Sequence, residues 1–449
     1  MTAPTHSHGI RRAAVIGAGP MGAGIAAQFA NGGVPVDLLD VAGPDTDRDA
    51  PALAGLARVQ AANAFATPEA AALVRVGNVD DHMNRLAEAD WIVEAVVERL
   101  EVKRALFARI EAARKPGSLV SSNTSTLLRA DLVAAMSATF AKDFVIMHYF
   151  NPPWIMRLVE LVGGPQTPPG MLARASAANR DLLGKVPVIC RDTPGFNANR
   201  IGCFWMAMAA REAMRLGLGA QQADAVHAAF GIPRTGVFGL FDLIGIDLVP
   251  HVWGSLLRSL PADDDFQRFD ITTEPLFRSL VATGRHGRKT GGGFYRKGSS
   301  GAREVLDLVS GDYTAELPAP VLPGGGNLAA LVADPGVLGH FARAVLIHVI
   351  AYAATHAPDI ADDVSGVDTA VELGYSWREG PFRLADRLGV GTIAAALRAE
   401  GRVVPSLLSA AVGLGGFYRD GVALRGDGSG YARPLPEVAP IWQPTSGLA

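Results

Sequence analysis

The segment His148-Tyr-Phe-Asn-Pro-Pro153 contains the side chain of this chain best suited to acid–base chemistry. It ends an apolar run, residues 144–150, that predicts a β-strand, and doubly wound sheets bind ligands beyond the carboxyl ends of their strands. A histidine at this place could remove a hydroxyl proton near neutral pH.

Glu160 follows twelve residues after His148, inside a second predicted strand, Met156 to Val162. A strand, a turn and a return strand could therefore bring its carboxylate to the imidazole. Such a partner would fix the tautomer and stabilise the imidazolium. On these residues alone, a structural histidine beside an unrelated surface glutamate remains an equal alternative.

A glycine-rich turn, Gly17-Ala-Gly-Pro-Met-Gly22, follows an apolar strand and opens a helix. Gly17 permits the tight turn, Gly19 lets the backbone approach a pyrophosphate, and Gly22 allows close helix packing. Asp40 ends the next strand, where a carboxylate would accept hydrogen bonds from a ribose and repel the 2′-phosphate of NADP. The pattern favours NAD, although flavin binding uses the same turn and is not excluded by this segment alone.

The elements that must position these groups are short strands alternating with helical patterns such as Met21 to Ala30 and Val102 to Ala113. The predicted strands are 13–16, 36–39, 91–95, 118–123 and 144–150. This alternation predicts a parallel sheet covered by helices on both faces. Two further strands, 156–162 and 185–190, are expected to extend it.

After Asp192-Thr-Pro-Gly195 the pattern becomes almost wholly helical as far as Gly284, so a domain boundary is expected there. A stretch rich in glycine, proline and short polar segments then predicts a linker. The expected organisation is a disordered leader (1–10), a nucleotide-binding α/β domain (11–191), a first helical domain (192–298), a linker (299–325) and a second, degenerate helical domain (326–449).

An internal repeat spans that linker. The pattern GxFxLxDxxG occurs at 236–245 and again at 380–389, and each copy is followed by Gly-Gly-Phe-Tyr-Arg, at 292–296 and 415–419. Two matching elements in the same order indicate a duplicated helical domain.

The bulk composition narrows the class of protein. The 449 residues carry a net charge of −3 and are 49% hydrophobic, which is typical of a globular protein and gives no reason to expect nucleic acid or an anionic membrane as a partner. The most apolar stretch, Val337 to Ala357, includes His340, Arg343 and His348. It therefore predicts a buried helix rather than a membrane span.

Cys190 and Cys203 form neither a CxxC motif nor a disulfide framework, which fits a reducing compartment. The polar N-terminus lacks the apolar core of a signal peptide, so a cytoplasmic protein is expected. His6 and His8 are interpreted as part of a frayed leader rather than as a metal-binding tail, and no metal is expected.

These motifs together resemble the L-3-hydroxyacyl-CoA dehydrogenase family, whose HFFNP signature is similar to His148-Tyr-Phe-Asn-Pro. Other motifs follow in the family's order: 17–26, Val93-Glu-Ala-Val-Val-Glu98, Ser122-Asn-Thr-Ser125, Asp192-Thr-Pro-Gly-Phe196 with Asn199-Arg200, and 287–295. The resemblance covers roughly residues 11 to 297 and extends more weakly to about residue 420, as in long-chain and multifunctional members.

The resemblance implies a Rossmann-type doubly wound α/β sheet followed by two related all-α domains, similar to the C-terminal domain of 6-phosphogluconate dehydrogenase. It also implies NAD-dependent oxidation of an L-3-hydroxyacyl-CoA to a 3-oxoacyl-CoA, as in fatty acid β-oxidation. His148 matches the catalytic base and Glu160 its partner. Ser125 matches a residue that hydrogen-bonds the substrate near its reacting oxygens, and Asn199 matches the amide that orients the substrate at His148.

The family's cofactor contacts can be carried over in the same way. Glu98, Lys103 and Asn151 match positions near the nicotinamide ribose and its surroundings. The full set implied by the resemblance is Gly17, Gly19, Met21, Gly22, Asp40, Ala95, Glu98, Lys103 and Asn151. Without the resemblance, Glu98 and Lys103 would be read as surface charges, Ser125 as a turn residue or helix cap, and Asn199 as a polar residue of a first helical turn.

The sequence also departs from the family. Tyr149 stands where a phenylalanine is usual, and Asn197 and Ala198 occupy positions that are usually aliphatic or mixed. Residues 45–71 contain no lysine to bind the phosphates of CoA, a role for which Arg48 or Arg58 could substitute. No hydratase domain is expected, so a separate enoyl-CoA hydratase is an expected partner.

Two other functions remain open. One is a dehydrogenase of a free hydroxy acid, similar to L-gulonate dehydrogenase and lambda-crystallin, although the duplicated helical domain favours acyl-CoA chemistry. The other is a non-catalytic NAD-binding subunit. Because a fused second helical copy could cover the surface through which single-copy members pair, a monomer or weak homodimer is expected.

Overall fold

The computed structural model describes residues 9–233 and 235–432. They divide into two compact units, the first ending at Phe196 and the second beginning at Asn197. Most of the predicted leader, with His6 and His8, and the end of the predicted second helical domain lie outside the described residues. Ile10 is described and is buried in the core of the first unit.

The first unit is built on an eight-stranded sheet. Its strands are β1 (Ala13–Ile16), β2 (Val36–Asp40), β3 (Val74–Asn78), β4 (Trp91–Glu94), β5 (Leu119–Ser122), β6 (Phe144–Tyr149), β7 (Leu158–Val162) and β8 (Val186–Cys190). Their order is β3-β2-β1-β4-β5-β6-β7-β8, and neighbours are parallel except for the antiparallel pair β6 and β7. The strand order reverses between β1 and β4, which opens a crevice at their carboxyl ends.

Among the described residues, seven α-helices accompany this sheet: α1 (Pro20–Asn31), α2 (Ala50–Ala61), α3 (Pro68–Ala71), α4 (Leu100–Ala113), α5 (Arg129–Val133), α6 (Ala138–Asp143) and α7 (Pro169–Leu183). Because both faces are covered, the central strands are buried along their whole length, as in β1 and β4. The predicted Rossmann-type sheet is confirmed, with every predicted strand present.

Within this sheet, β3 is the strand that the sequence patterns did not predict. It lacks an apolar run because it lies at the edge of the sheet, where Arg75 points its guanidinium at the buried carboxylate of Asp37 on β2. The two side chains form hydrogen bonds of 2.6 and 3.0 Å. Polar pairing, rather than apolar alternation, therefore marks this strand.

The second unit is mainly helical, with one hydrophobic core that includes residues of both predicted copies. Its helices are α8 (Ala198–Arg215), α9 (Ala220–Phe230), α10 (Gly236–Ile244), α11 (Val249–Ser259), α12 (Pro275–Ala282), α13 (Leu328–Ala333), α14 (Val337–Ile360), α15 (Val364–Gly374), α16 (Pro381–Leu388), α17 (Val390–Ala399) and α18 (Ser406–Leu414). Its short strands are β9 (Tyr295–Lys297), β10 (Arg303–Leu306), β11 (Tyr313–Ala315), β12 (Tyr418–Arg419) and β13 (Val422–Ala423).

The segment 299–325, predicted to be a linker, contains more structure than its composition indicates. Strands β10 and β11 lie within it and form an antiparallel sheet with β9. Leu306 and Leu308 belong to the core of the second unit. The linker prediction is therefore corrected as far as Ala315, because glycine-rich segments here form the turns of a packed sheet.

Helix α14 contains the apolar stretch that was predicted to be a buried helix. Taken alone, it is the one helix among the described residues that is long and apolar enough to cross a membrane, and 67% of its most apolar window is buried inside the protein. Its Tyr352 ring stacks on Phe204 of α8, with ring centroids 3.7 Å apart. This contact joins the two helical copies.

The two copies share one hydrogen-bonded framework. In the first, the carboxylate of Asp224 accepts hydrogen bonds from the backbone of α10 and from the hydroxyl of Tyr295, the latter at 2.8 Å. In the second, Asp368 accepts from the backbone of α16 and from the hydroxyl of Tyr418, also at 2.8 Å. The repeat seen in the sequence is thus a repeat of specific polar contacts.

Candidate active site

The glycine-rich turn lies at the crevice between β1 and β4, and its shape excludes side chains. A Cβ added to Gly17, whose φ is +101°, would lie 2.5 Å from the carbonyl oxygen of Ala95, which follows β4. A Cβ on Gly22 would lie 1.8 Å from the carbonyl oxygen of Gly17. Around Gly19, by contrast, there is open space. A ligand can therefore approach the backbone at Gly19, at the first turn of α1, where N–H groups favour phosphate.

Asp40 lies at the end of β2 beside this turn. Its Oδ2 accepts a hydrogen bond from the N–H of Ala18 at 2.6 Å, and its Oδ1 accepts one from the N–H of Val41. The carboxylate is thus fixed next to the phosphate-binding backbone. The turn, the helix start with Met21 in its first turn, and this carboxylate fit NAD, because a carboxylate here binds ribose hydroxyls and repels a 2′-phosphate.

After β4, a buried ammonium connects two carboxylates. The Nζ of Lys103 lies 2.7 Å from Glu94 and 3.2 Å from Glu98. Lys103 and Glu94 are buried, whereas Glu98 is partly exposed. Lys103 is therefore not a surface charge. Its ammonium orients the partly exposed carboxylate of Glu98. Sequence reasoning missed Glu94, although its place at the end of a central strand was a usable signal.

Glu98 in turn fixes the loop that contains Ser125. Its Oε1 accepts hydrogen bonds from the hydroxyl of Thr124 and from the N–H of Ser125, the latter at 2.9 Å. Partial burial opposes its ionisation, but the charge of Lys103 and these hydrogen bonds outweigh burial and lower the pKa of Glu98. The predicted residues Glu98, Lys103 and Ser125 are therefore one connected group. Within the described residues, the Ser125 hydroxyl makes no hydrogen bond and is available to a ligand.

His148 and Glu160 lie directly opposite each other in the antiparallel pair β6 and β7. The Nδ1 of His148 is 2.7 Å from Oε2 of Glu160, and both side chains are buried. The thiol of Cys190 on β8 lies 3.6 Å from the other oxygen, Oε1. Since Nδ1 faces the carboxylate, Nε2 is the nitrogen that can accept a proton from a ligand.

Aromatic rings enclose the imidazole. The rings of Phe150 and Phe196 lie 4.5 and 5.7 Å from it, centroid to centroid. Asn123, which sequence reasoning missed, accepts a hydrogen bond from the N–H of Tyr149 and so ties the end of β5 to the end of β6. Asn151, in the next turn, is exposed.

The unusual Tyr149 is accommodated by a polar partner. Its hydroxyl donates a hydrogen bond of 2.7 Å to the buried amide of Asn179 on α7. Burial raises the pKa of Tyr149, so the hydroxyl keeps its proton. Tyr149 therefore has a structural explanation apart from the chemistry of His148.

The two arginines considered for CoA differ sharply. Arg48 makes two hydrogen bonds to Asp81, at 2.7 and 3.0 Å, and an ion pair with Asp45. Arg58 is exposed on α2 and donates only to the carbonyl oxygen of Ala18, at 3.3 Å. Among the described residues, Arg58 has no carboxylate partner, so its charge is the one available to a phosphate.

Asn199 lies in the second unit, on the first turn of α8. Its Oδ1 accepts a hydrogen bond from the hydroxyl of Tyr375, at 3.0 Å. Its neighbour Arg200 forms an ion pair with Asp264 and lies over the ring of Tyr352. The first turn of α8 is thus held by Asp264 of the first helical copy and by Tyr352 and Tyr375 of the second.

Comparison with known proteins places this geometry in a family. The model of the NAD-binding domain of 3-hydroxyacyl-CoA dehydrogenase matches residues 12–193, and the model of that enzyme's C-terminal domain matches residues 195–297. The chain belongs to the 3-hydroxyacyl-CoA dehydrogenase family. The family resemblance inferred from the sequence motifs is confirmed, and the first unit is the NAD-binding domain of this family.

Relatives extend the match beyond these two domains. A Deinococcus radiodurans protein named "Probable 3-hydroxyacyl-CoA dehydrogenase" is 38% identical over 292 residues, which are 64% of this chain and 83% of that protein. A Bacillus subtilis protein of the same name is 31% identical over 428 residues, 89% of this chain and 54% of that protein. This family member spans about half the length of several curated relatives that it matches.

Solved structures agree with the fold. The 3-hydroxybutyryl-CoA dehydrogenase of Escherichia coli K12 superposes with a TM-score of 0.67 at 24% identity and covers 90% of this chain and 98% of its own, which shows a shared fold across both helical copies. The (S)-3-hydroxybutyryl-CoA dehydrogenase of Ralstonia eutropha has a TM-score of 0.52 at 28% identity and covers 63% of this chain and 98% of its own.

Proposed function

We propose that this protein catalyses the NAD-dependent oxidation of L-3-hydroxyacyl-CoA to 3-oxoacyl-CoA. The observation that carries the proposal is the buried pair of His148 and Glu160, 2.7 Å apart at the carboxyl edge of an NAD-binding sheet. A buried carboxylate against Nδ1 leaves Nε2 as a base, which is the group that oxidation of a hydroxyl needs.

In this scheme Nε2 of His148 accepts the proton of the 3-hydroxyl. When bound, NAD supplies the acceptor for the hydride that leaves C3 of the substrate. Glu160 stabilises the positive imidazolium that forms, and the rings of Phe150 and Phe196 reduce the access of water to it. In the reverse direction, the protonated imidazole returns its proton to the oxygen.

The residues proposed to hold NAD are those of the crevice. The backbone around Gly19 binds the pyrophosphate and Asp40 the adenosine ribose. Glu98, oriented by Lys103, is proposed to bind near the nicotinamide ribose. Lys103 acts through Glu98, since its ammonium is buried between two carboxylates.

The substrate contacts follow the family's motifs. The hydroxyl of Ser125 and the amide of Asn199 are proposed to hydrogen-bond the oxygens of the hydroxyacyl group. For the phosphates of CoA, we propose Arg58 rather than Arg48, because Arg48 is already paired with Asp81. Arg58→Ala should raise KM for hydroxyacyl-CoA, whereas Arg48→Ala should not.

The test is the absorbance of NADH during incubation with NAD and L-3-hydroxyacyl-CoA thioesters of short, medium and long chain. Steady production with at least one thioester supports the proposal, and the series also gives the preferred chain length. If only free hydroxy acids such as L-gulonate react, the substrate assignment is wrong. NAD binding by calorimetry without turnover of either class would instead indicate a non-catalytic subunit.

We further propose that the protein is a monomer or a weak homodimer. The support is the packing of α14 on α8, which covers an apolar surface of the first helical copy with the second. Light scattering of the full chain should give the monomer mass at micromolar concentration. A stable dimer at nanomolar concentration would contradict the proposal.

A cytoplasmic location and cooperation with a separate enoyl-CoA hydratase complete the proposal. Both cysteines are buried and neither forms a disulfide within the described residues, which fits a reducing compartment. A hydratase forms the L-3-hydroxyacyl thioester that this reaction consumes. Adding such a hydratase and an enoyl-CoA to the assay should therefore yield NADH.

A further inference from the structure

The second helical copy contributes a side chain that contacts Asn199. Tyr375 follows α15, and its hydroxyl oxygen lies 3.0 Å from Oδ1 of Asn199 on α8. The two residues are 176 positions apart in the sequence. They belong to the same unit, so the contact is part of one continuous core.

Helix α8 has a recess for the Tyr375 ring. The recess exists because Gly202 has no side chain: a Cβ there would lie 2.2 Å from two ring carbons of Tyr375. Glycine in the interior of a helix is less favourable than alanine. Here that cost accompanies a close approach that places the hydroxyl at Asn199.

The hydrogen-bond polarity around Tyr375 follows from its neighbours. The Sγ of Cys203 lies 3.6 Å from the tyrosine oxygen, where either atom can be the donor, and burial raises the pKa of this thiol to about 12, so it stays protonated. The tyrosine hydroxyl can then donate to Oδ1 of Asn199, which only accepts. The Asn199 amide is thereby oriented, and no described residue accepts a hydrogen bond from its Nδ2.

We propose that Tyr375 is a positioning residue of the dehydrogenase reaction, which orients the Asn199 amide so that Nδ2 donates to an oxygen of the hydroxyacyl substrate. This inference rests on the proposed function, because it takes Asn199 as a substrate contact. Tyr375 itself touches no substrate. The second helical copy thus contributes to substrate orientation as well as to packing.

The first copy has no counterpart to this contact. As far as α10 and α16, corresponding residues of the copies are 144 positions apart, as in Asp224 and Asp368 or Gly236 and Gly380. At this spacing Tyr375 corresponds to Gly231, whose φ is +89°. Helix α14, which corresponds to α8 in the second copy, contains no asparagine. The tyrosine and the amide therefore each occur once, on opposite sides of the repeat.

The first experiment replaces Tyr375 by phenylalanine, which keeps the ring in the recess at Gly202 and removes the hydroxyl. We expect kcat with hydroxyacyl-CoA to fall roughly 2- to 13-fold, the scale of one neutral hydrogen bond. The Kd for NAD should be unchanged, because the glycine-rich turn lies in the other unit. The matched control is Tyr418→Phe, which removes another buried hydroxyl of the second copy and should lower Tm but leave kcat unchanged.

The second experiment tests whether Tyr375 acts through Asn199. Tyr375→Phe is also made in the Asn199→Ala variant. In that variant we expect Tyr375→Phe to change kcat by less than 2-fold. The inference would be overturned if Tyr375→Phe lowered kcat equally in the wild type and in Asn199→Ala, or if it did not lower kcat in the wild type. A loss of kcat in Tyr418→Phe equal to that in Tyr375→Phe would also overturn it. A wild-type protein that oxidises no hydroxyacyl thioester would overturn the proposed function as well, whereas an active wild type with an unaffected Tyr375→Phe variant overturns this inference alone.

Discussion

The two units bury carboxylates in different surroundings. In the first unit, Glu160 faces the imidazole of His148 at 2.7 Å. In the helical unit, Asp224 and Asp368 face backbone N–H groups and a tyrosine hydroxyl, and these contacts are the same in both copies.

The difference separates a reacting group from a structural one. The groups that donate to Asp224 are backbone N–H groups and the hydroxyl of Tyr295. Their hydrogen atoms are all used in contacts within the protein. The imidazole beside Glu160 has a second nitrogen, and among the described residues none hydrogen-bonds to it. A buried carboxylate therefore indicates chemistry when its partner retains an unused proton-accepting atom, and indicates architecture when it does not.

The helical copies extend this lesson. Both retain the carboxylate and tyrosine framework, but α8 of the first copy contains an asparagine, Asn199, whereas α14 of the second contains none. Duplication thus preserved what each copy needs to fold. The contact that differs, Tyr375 to Asn199, joins one copy to the other.

The largest expected effect comes from His148→Gln. Loss of the base should lower kcat about 100- to 10,000-fold, while the Kd for NAD measured by calorimetry stays within 2-fold of the wild type. The matched control is His227→Gln, since His227 is a buried histidine of the helical unit that contacts the carbonyl oxygen of Ala223. If His148→Gln kept more than a tenth of the wild-type kcat, the base would be another residue.

Glu160→Gln should have the next largest effect, a loss of roughly 100-fold in kcat. The amide keeps the shape but removes the charge that stabilises the imidazolium. The same exchange in the helical unit, Asp368→Asn, should leave kcat of the folded protein within 2-fold of the wild type. A comparable loss of kcat in both variants would show that buried charge as such, rather than its contact with His148, supports turnover.

A smaller effect is expected in the pH dependence of stability. Burial raises the pKa of Asp224 and of Asp368 to about 7, against hydrogen bonds that lower it. The pKa of an aspartate in an unfolded chain is about 3.9, so between pH 4 and 7 the folded state binds more protons than the unfolded state. Each group therefore contributes stability that is fully present below about pH 3.9. The stabilisation is lost as pH rises to about 7, so the urea midpoint should fall between pH 4 and 7.

Asp368→Asn removes one of the two groups and should make this decline less steep. The control is Asp427→Asn: the pKa of this exposed carboxyl is lowered by hydrogen bonds from Ser429, so its loss should not flatten the curve. A decline of equal slope in the wild type and in Asp368→Asn would contradict the assignment.

The smallest expected effect is a matched pair of stability losses. Tyr295→Phe and Tyr418→Phe each remove the hydroxyl that donates to a buried carboxylate, at 2.8 Å in both copies. Each should lower the free energy of unfolding by about 1 kcal/mol and leave kcat unchanged. A loss in one copy alone, measured by urea unfolding, would show that the two frameworks are not equivalent.

Much of the first unit could be predicted from the sequence because its signals are local. A strand buried on both faces must be apolar along its whole length, and a turn that a Cβ would block must be glycine, so the central strands and Gly17 are visible in the sequence. The repeat of GxFxLxDxxG was visible because both copies keep the same residue types. Its aspartates, Asp242 and Asp386, accept hydrogen bonds from the backbone of the second repeated motif, at 294–295 and 417–418.

Only the tertiary structure decided the features that depend on distant residues. The edge strand β3 is specified by the ion pair of Arg75 with Asp37. Lys103 can be buried because its ammonium pairs with the carboxylates of Glu94 and Glu98. Periodicity carries no record of such contacts, because it reports which face of an element is apolar and not what covers that face.

The same reason separates the two residue pairs on which the proposals rest. Two residues twelve positions apart, His148 and Glu160, could be paired from the sequence because a single turn joins their strands. Tyr375 and Asn199, 176 positions apart, could not, since their contact exists only after helices of both copies pack into one core. The sequence alone paired His148 with Glu160, and the packing of the helices decided which residue contacts the amide of Asn199.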